Sequence, residues 1–386
     1  MHDPVASGGS PVSASGTRPL KKHRVAVFAG PTGGHLFPAQ SFCEGFRKRF
    51  PQATIELITS HRAQDLIAKV PAGIFDRVHY LPEFGFAARF SLATLKPFLL
   101  APYLFLKSFF YLTKSRPDIC VGFASFASYP GMMTAHAFGI PTLIHEQNQV
   151  PGKATQWLAP HMDVVAESFP GTRFSAKVKT VRTVGLPLRA GLVNAGGKGS
   201  ALTAARPIEI LVVGGSQGAW GLNEAVVSAL GQLSPEERSK IAVTHITGKR
   251  DQQRVAAQYR QWALAGEVLS FCTTMNDLFN KADLAITRAG ANTLFELAFF
   301  GIPALVVPYP HAGGHQEYNA QCFAAKGGLL YHKEDPQAAA WLLDQLRQFI
   351  GTPEELDRFS KAMAALARPR ATDDLVTLAE GLIRKS

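Results

Sequence analysis

No run of this sequence is long and apolar enough to cross a bilayer as a helix. A span needs about 20 apolar residues, and the longest uncharged apolar run of interest, Pro97–Leu106, is short and interrupted by Pro102. Cysteine is scarce. Cys43, Cys120, Cys272 and Cys322 lie far apart with no CxxC or metal-ligand spacing, which argues against a disulfide framework and reads as reduced core thiols. No GxxxxGK[ST] loop occurs, so P-loop nucleotide hydrolysis is disfavoured. The full GxGxxG spacing is also missing, which counts against a nicotinamide cofactor. No Asp-rich metal motif is visible, and neither a metal nor another cofactor is implied. One absence is local: there is no acidic residue from Phe84 to Pro117.

What is present suits a globular protein of two domains. The chain has 386 residues, 46% hydrophobic and 18% charged, more than one core usually serves. Its net charge of +11 is uneven: residues 1–190 hold 21 Lys+Arg against 10 Asp+Glu, whereas the remainder holds 19 of each. The first half therefore attracts something anionic. Residues 1–22 read as a disordered leader, since ten of them are Gly, Ser or Pro and no apolar signal-peptide core is present.

Strand, Gly-rich turn and helix patterns then alternate. Arg24–Phe28 runs into Gly30-Pro31-Thr32-Gly33-Gly34-His35, and further short apolar runs fall at Thr54–Ile58, Ile119–Val121, Thr142–His145, Val164–Ala166 and Val181–Val184. The pattern restarts at Ile208–Val213 with Gly214-Gly215-Ser216-Gln217-Gly218. Gly139-Ile140-Pro141 and Gly301-Ile302-Pro303 echo each other, each introducing an apolar strand. Such alternation predicts an α/β protein, with two Rossmann-like parallel-sheet domains facing across a cleft and ligands at the carboxyl ends of the strands. The divisions are 23–187, a linker at 188–207, a second domain at 208–370 and a terminal helix at 371–386.

Three constellations carry chemistry. Gly-rich turns before helices offer amides and a positive dipole end to an anion. Arg288-Ala289-Gly290-Ala291-Asn292-Thr293 opens another helix, on which Glu296 is either a capping-box partner or a ribose acceptor. His311, His315, Gln316 and Asn319 crowd one strand-end loop, as sugar-hydroxyl recognition requires. From Phe84 to Leu112 there are nine aromatics in 29 residues, and Arg89, Lys96, Lys107, Lys114 and Arg116 accompany Phe84, Phe98, Phe109 and Phe110. Burial with snorkelling lysines accounts for the aromatics. An interfacial patch against anionic headgroups accounts for the missing acids as well and is favoured. The stretch is too greasy for nucleic acid.

Together these motifs resemble the MurG family. The matching pieces are Thr32-Gly33-Gly34-His35, His145-Glu146-Gln147-Asn148, Gly214-Gly215-Ser216-Gln217-Gly218-Ala219, Arg288-Ala289-Gly290-Ala291 with Thr293 and Glu296, and Pro308-Tyr309-Pro310-His311 with His315-Gln316 and Asn319. The resemblance implies a GT-B fold and inverting transfer of N-acetylglucosamine from UDP-N-acetylglucosamine to undecaprenyl-linked N-acetylmuramoyl-pentapeptide, the step from lipid I to lipid II in peptidoglycan synthesis. It implies a peripheral enzyme on the cytoplasmic face of the membrane, with other cell-wall synthesis proteins among its partners. The terminal helix is expected to cross back onto the first domain.

By matching position, Ser216 meets the donor diphosphate and Ala291, Asn292 and Thr293 lie along the nucleotide. Glu296 holds ribose, Gln316 and Asn319 read the sugar, and Cys272 sits near the base. Thr32, Gly33, Gly34, Asn148 and Arg189 also fall on ligand-binding positions. His35 is the first candidate base, with His145 and Glu146 as alternatives. The first domain departs from the family pattern: Pro31 stands at a usual Gly, the second Gly loop reads Gly122-Phe123-Ala124-Ser125-Phe126, and Trp220 replaces an Arg. Pro lacks an N–H, and Ala and Ser disfavour positive φ. These departures keep open another lipid acceptor such as diacylglycerol; a non-catalytic UDP-sugar-binding scaffold is the rival of a different class.

Overall fold

A computed structural model describes residues 22–82, 96–194, 206–215, 218–272, 274–310 and 314–385, with backbone alone at 96–99 and 194. Expectations placed on the leader up to residue 21, on Phe84 and Arg89, on Ser216 and on His311 lie outside the described residues, as do those on the side chains of Lys96 and Phe98.

The first sheet contains β1 (Arg24–Ala29), β2 (Thr54–Ser60), β3 (Arg77–Leu81), β4 (Ile119–Phe123), β5 (Thr142–Glu146), β6 (Val164–Glu167) and β7 (Val181–Thr183), in the order β3-β2-β1-β4-β5-β6-β7. The second holds β8 (Ile208–Val213), β9 (Ile241–Ile246), β10 (Ala265–Leu269), β11 (Leu284–Thr287), β12 (Ala304–Val306) and β13 (Leu329–Tyr331), in the order β10-β9-β8-β11-β12-β13. Every pairing is parallel. Val25–Ala29 and Ile119–Phe123 are buried throughout, because helices cover both faces and a central parallel strand has no solvent side. In both sheets the strand order reverses beside the first strand, the crevice where such sheets bind ligands.

The last helix, Ala371–Ile383, belongs to the first domain's core. Leu375, Val376, Ala379 and Ile383 recur at helical spacing and share a cluster with Val25, Val27, Phe42 and Phe46. The approach is close at Gly45, where a Cβ would come within 2.6 Å of Thr372 Cγ2. Arg49 ties the same faces together, donating to Thr377 Oγ1 at 2.8 Å and pairing with Glu380 at 3.3 Å.

The helix Lys96–Ser115 is two-faced. Leu104, Ser108 and Leu112, four residues apart, are buried. Tyr103, Leu106, Phe109 and Phe110 are exposed on the other side, Phe110 at 62%. Lys107 and Lys114 are exposed beside them, as is Arg116 just past the helix end, and the Lys107 ammonium lies 5.8 Å from the Tyr103 ring centre. Of the cysteines, Cys43 and Cys120 are core thiols whose pKa burial raises. Cys272 and Cys322 are half-buried, which corrects the reading of all four as core.

Candidate active site

Three helices begin at the carboxyl ends of strands with bare amide ends. Gly33–Arg49 follows β1, Trp220–Gly231 follows β8 and Ala291–Phe300 follows β11. None has a side-chain cap or an acid in its first turn. Each thus keeps unpaired N–H groups and the positive end of its dipole for an anion.

The loop after β4 in the first domain keeps a glycine-like backbone without glycines. Ala124 stands at φ 34° and Ser125 at φ 133°, although side chains resist that region. Ser125 Oγ accepts the Ala127 N–H at 3.1 Å, which offsets part of the strain. A Cβ on Gly30 would meet His35 Nδ1 at 2.7 Å and Ser125 Cβ at 2.9 Å. Gly30 is therefore the bare floor between His35 and Ser125, and Pro31 follows it without breaking the turn.

The three candidate bases differ in access. His145 and Glu146 end β5 with no exposed surface. His145 Nε2 lies 3.0 Å from the Gly185 carbonyl and 3.3 Å from Ser168 Oγ, and burial lowers its pKa to about 4. Glu146 Oε1 accepts from the Asn148 backbone and side-chain N–H groups at 2.9 and 3.3 Å; burial raises its pKa against those bonds. Of the three, only His35 is not fully buried. Its Nδ1 is 2.9 Å from Thr32 Oγ1, and desolvation lowers its pKa to about 4. His35 is neutral at pH 7. The tautomer whose Nδ1 hydrogen is donated to Thr32 is the one that leaves a lone pair on Nε2.

In the second domain Glu296 lies nearly two turns into its helix, too far to cap it. Its carboxylate is nearly buried and pairs with Arg189 at 3.3 Å. Burial raises its pKa and Arg189 opposes that rise. The Arg189 guanidinium also lies 4.8 Å from the Phe37 ring centre, so this pair spans the cleft. A cavity of about 370 Å³ beside it is lined by Gln40, Glu44, Arg189, Thr274 and Asn276. Cys272 lies close by in sequence, its Sγ 3.8 Å from Thr274 Oγ1. A larger cavity of about 540 Å³, near Glu56, His79 and Tyr111, opens at the opposite ends of β1–β3 and is remote from these loops.

Ala291, Asn292 and Thr293 form the first turn of the helix Ala291–Phe300. The Asn292 side chain, however, reaches across the cleft and donates to the Gly33 carbonyl at 3.1 Å. Gln316 Oε1 accepts the N–H groups of Ala289 and Tyr309 at 3.1 and 3.0 Å, leaving its amide nitrogen for a ligand. Asn319 is fully buried between the domains.

Two supports carry roles that sequence reasoning did not assign. The buried Arg288 donates to the Val307 carbonyl at 2.9 Å and to Glu334 at 2.8 Å, fixing the end of β12. Beneath the Gly214–Gly218 turn, Asn223 donates to the Thr247 carbonyl and to Asp251, while its Oδ1 faces His245 at 3.1 Å.

Two Rossmann-like halves with bare helix ends turned toward a shared cleft define a GT-B glycosyltransferase. The comparisons agree. Residues 25–167 match the glycosyltransferase family 28 N-terminal domain and residues 209–375 its C-terminal domain. A transferase of Pseudomonas fluorescens is 33% identical over 92% of this chain and 97% of its own length. One from Carboxydothermus hydrogenoformans is 31% identical over 93% and 97%. Both carry the name UDP-N-acetylglucosamine–N-acetylmuramyl-(pentapeptide) pyrophosphoryl-undecaprenol N-acetylglucosamine transferase. The crystal structure of Acinetobacter baumannii MurG superposes with a TM-score of 0.75 at 27% identity, over 93% of this chain and 99% of that one. The chain belongs to the MurG family of glycosyltransferases.

Proposed function

We propose that this chain transfers N-acetylglucosamine from UDP-N-acetylglucosamine to the muramoyl hydroxyl of undecaprenyl-pyrophosphoryl-N-acetylmuramoyl-pentapeptide. The observation that carries this reading is end-to-end similarity to transferases named for that one reaction in distant bacteria, joined to a cleft of bare helix ends.

The second domain holds the donor. Amides of the Ala291–Phe300 and Trp220–Gly231 helix starts face the diphosphate, Glu296 takes ribose hydroxyls and the Gln316 amide nitrogen reaches the sugar. As the glycosidic bond to UDP breaks, charge grows on the diphosphate, and fixed amides at a helix start stabilise it without reorganising. The acceptor hydroxyl attacks the opposite face of the anomeric carbon, inverting it. His35 Nε2 takes the proton, because His145 and Glu146 are sealed from solvent. Thr32, Gly33 and Gly34 border that hydroxyl's approach.

The acceptor's lipid stays in the bilayer, so the enzyme must dock there. The exposed aromatic face of Lys96–Ser115 with Lys107, Lys114 and Arg116 supports peripheral attachment to the anionic cytoplasmic surface. A turnover assay with radiolabelled UDP-N-acetylglucosamine and lipid-linked muramoyl-pentapeptide tests the proposal. Transfer to diacylglycerol instead, or binding without turnover, would overturn it.

A further inference from the structure

The exposed aromatic face of Lys96–Ser115 does not stop at that helix. It runs beside the helix Tyr129–Ala137, which opens just after the carboxyl end of β4. At the far end Phe109 meets Phe138, with ring centres 5.3 Å apart. At the cleft end Phe105 meets Tyr129 edge to face at 6.3 Å. Tyr129 in turn meets Trp157 at 6.0 Å, and Trp157 meets Phe126 at 5.9 Å. Phe126 follows Ser125, which with His35 walls the bare floor at Gly30. Rings in contact therefore lead from the exposed helix face to the loop beside the candidate base.

This row is not core. Phe105 is 37% exposed and Trp157 46%, while Tyr129 and Phe126 are half-buried. Three segments of the first domain thus leave apolar surface uncovered in one continuous line, and such a line marks a binding surface. It ends at the carboxyl ends of the strands, where sheets of this kind take their ligands. Lys153 lies four residues before Trp157 on the same helix face and is exposed too. The order is a cation toward the cleft and rings away from it, which matches a pyrophosphate followed by hydrocarbon.

Resting on the muramoyl-transferase reading, we propose that Phe126, Trp157, Tyr129 and Phe105 form a track for the first isoprene units of the acceptor. The acceptor's sugar must reach His35 while its tail stays in the bilayer. The carbons next to the pyrophosphate lie between those two places, and the rings cover them there. A bilayer acyl chain has no such tether at the Ser125 loop, so the prenyl chain is the occupant.

The test uses the full-length protein without membrane or detergent. Two muramoyl-pentapeptide acceptors are compared, one with a ten-carbon diprenyl chain on the pyrophosphate and one with an ethyl group. Wild type should favour the diprenyl acceptor in kcat/KM by about 10-fold or more, since each buried methylene is worth about fourfold. Trp157→Ala should lower that ratio about 5-fold or more as its apolar contact is lost, and Trp157→Phe, which keeps a ring, should restore most of it. UDP affinity by calorimetry should match wild type, and so should co-sedimentation with anionic vesicles. Tyr129→Ala serves as the second variant if Trp157→Ala folds poorly. A wild type that treats both acceptors alike, or variants that lower both equally, would overturn the proposal. Lost vesicle binding with an unchanged ratio would make these rings part of the docking face and overturn it as well. If wild type transfers to neither acceptor, the proposed function is wrong. Calorimetric binding of diprenyl pyrophosphate alone then decides the track: weaker binding by Trp157→Ala supports it, and equal binding overturns it.

Discussion

Ser125 shows how the loop after β4 can be built without glycine, and it gives two substitutions of opposite sign. The residue stands at φ 133° and ψ 147°, where a side chain costs about 1–3 kcal/mol. It is held by its own hydroxyl, which accepts the Ala127 N–H at 3.1 Å, and by its carbonyl, which accepts the Ser128 N–H at 3.1 Å. Ser125→Gly removes the strain. It forfeits the cap at a cost of only a few tenths of a kcal/mol, since glycine tolerates cap positions, and adds about 0.4–1 kcal/mol of unfolded-chain entropy. The balance is a gain of about 1 kcal/mol. Ser125→Ala keeps the strain and deletes the cap, a loss of about 0.5–2 kcal/mol. For a domain of this size each kcal/mol moves Tm by about 2–4 °C. Scanning calorimetry should therefore show the first-domain transition rising by about 2–4 °C for Ser125→Gly and falling by a similar amount for Ser125→Ala. If both variants lose stability, the loop is not strained at Ser125 and the reasoning from φ fails.

His35→Ala should lower turnover about 10²–10⁴-fold, the usual contribution of a general base, while calorimetry finds UDP affinity unchanged. Because burial holds His35 near 4, the acid limb of the kcat/KM profile should fall near pH 4, not near the ordinary 6.5; a limb at 6.5 would remove His35 from that role. His145 and His245, lowered to about 4 and about 3, act with His35 on stability. All three are neutral when folded and bind protons when unfolded below about pH 6.5, so the urea midpoint should fall steadily from pH 7 to pH 4. Glu296→Ala should weaken UDP-sugar binding by about 1.5–3 kcal/mol for each charge-assisted hydrogen bond lost, and an unchanged affinity would leave the carboxylate only its Arg189 pair. Reversing Lys96, Lys107 and Lys114 to Glu should release the protein from anionic vesicles in co-sedimentation, at about 1 kcal/mol per cation removed, with activity on a short-chain soluble acceptor retained.

The central strands were legible because a parallel sheet buried on both faces writes itself as an apolar run. Arg24–Ala29, Ile119–Phe123 and Ile208–Val213 are of this kind. The edges were not. Arg77–Leu81 and Ala265–Leu269 are mostly half-exposed or exposed, so their residues need not be apolar and carry no such signature. Ile241–Ile246 is internal yet escaped notice because Thr244 and His245 interrupt its apolar run. The structure accommodates His245 through Asn223 and the Tyr259 hydroxyl, partners that lie 22 and 14 residues away in the chain.

The site divides along the same line. Gly-rich turns before helices are local, so the sequence could place them. Which group acts there depends on access, which is not local. Residue type and position rank His35 first as the base but leave His145 and Glu146, at the end of β5, open as alternatives. Only the packing of Leu143, Phe123 and Ala166 into one core with the strands around them seals the end of β5 and leaves His35 not fully buried. Closure of the cleft is still less local. Asn292 meets Gly33, Arg189 meets Glu296 and Asn319 meets Gln149, three polar pairs whose members lie more than 100 residues apart. Each looks like a ligand-binding residue when read alone, because an amide or guanidinium at a strand end is suited equally to a sugar and to the facing domain. Sequence alone therefore does not separate the polar groups that join the domains from those suited to hold a ligand.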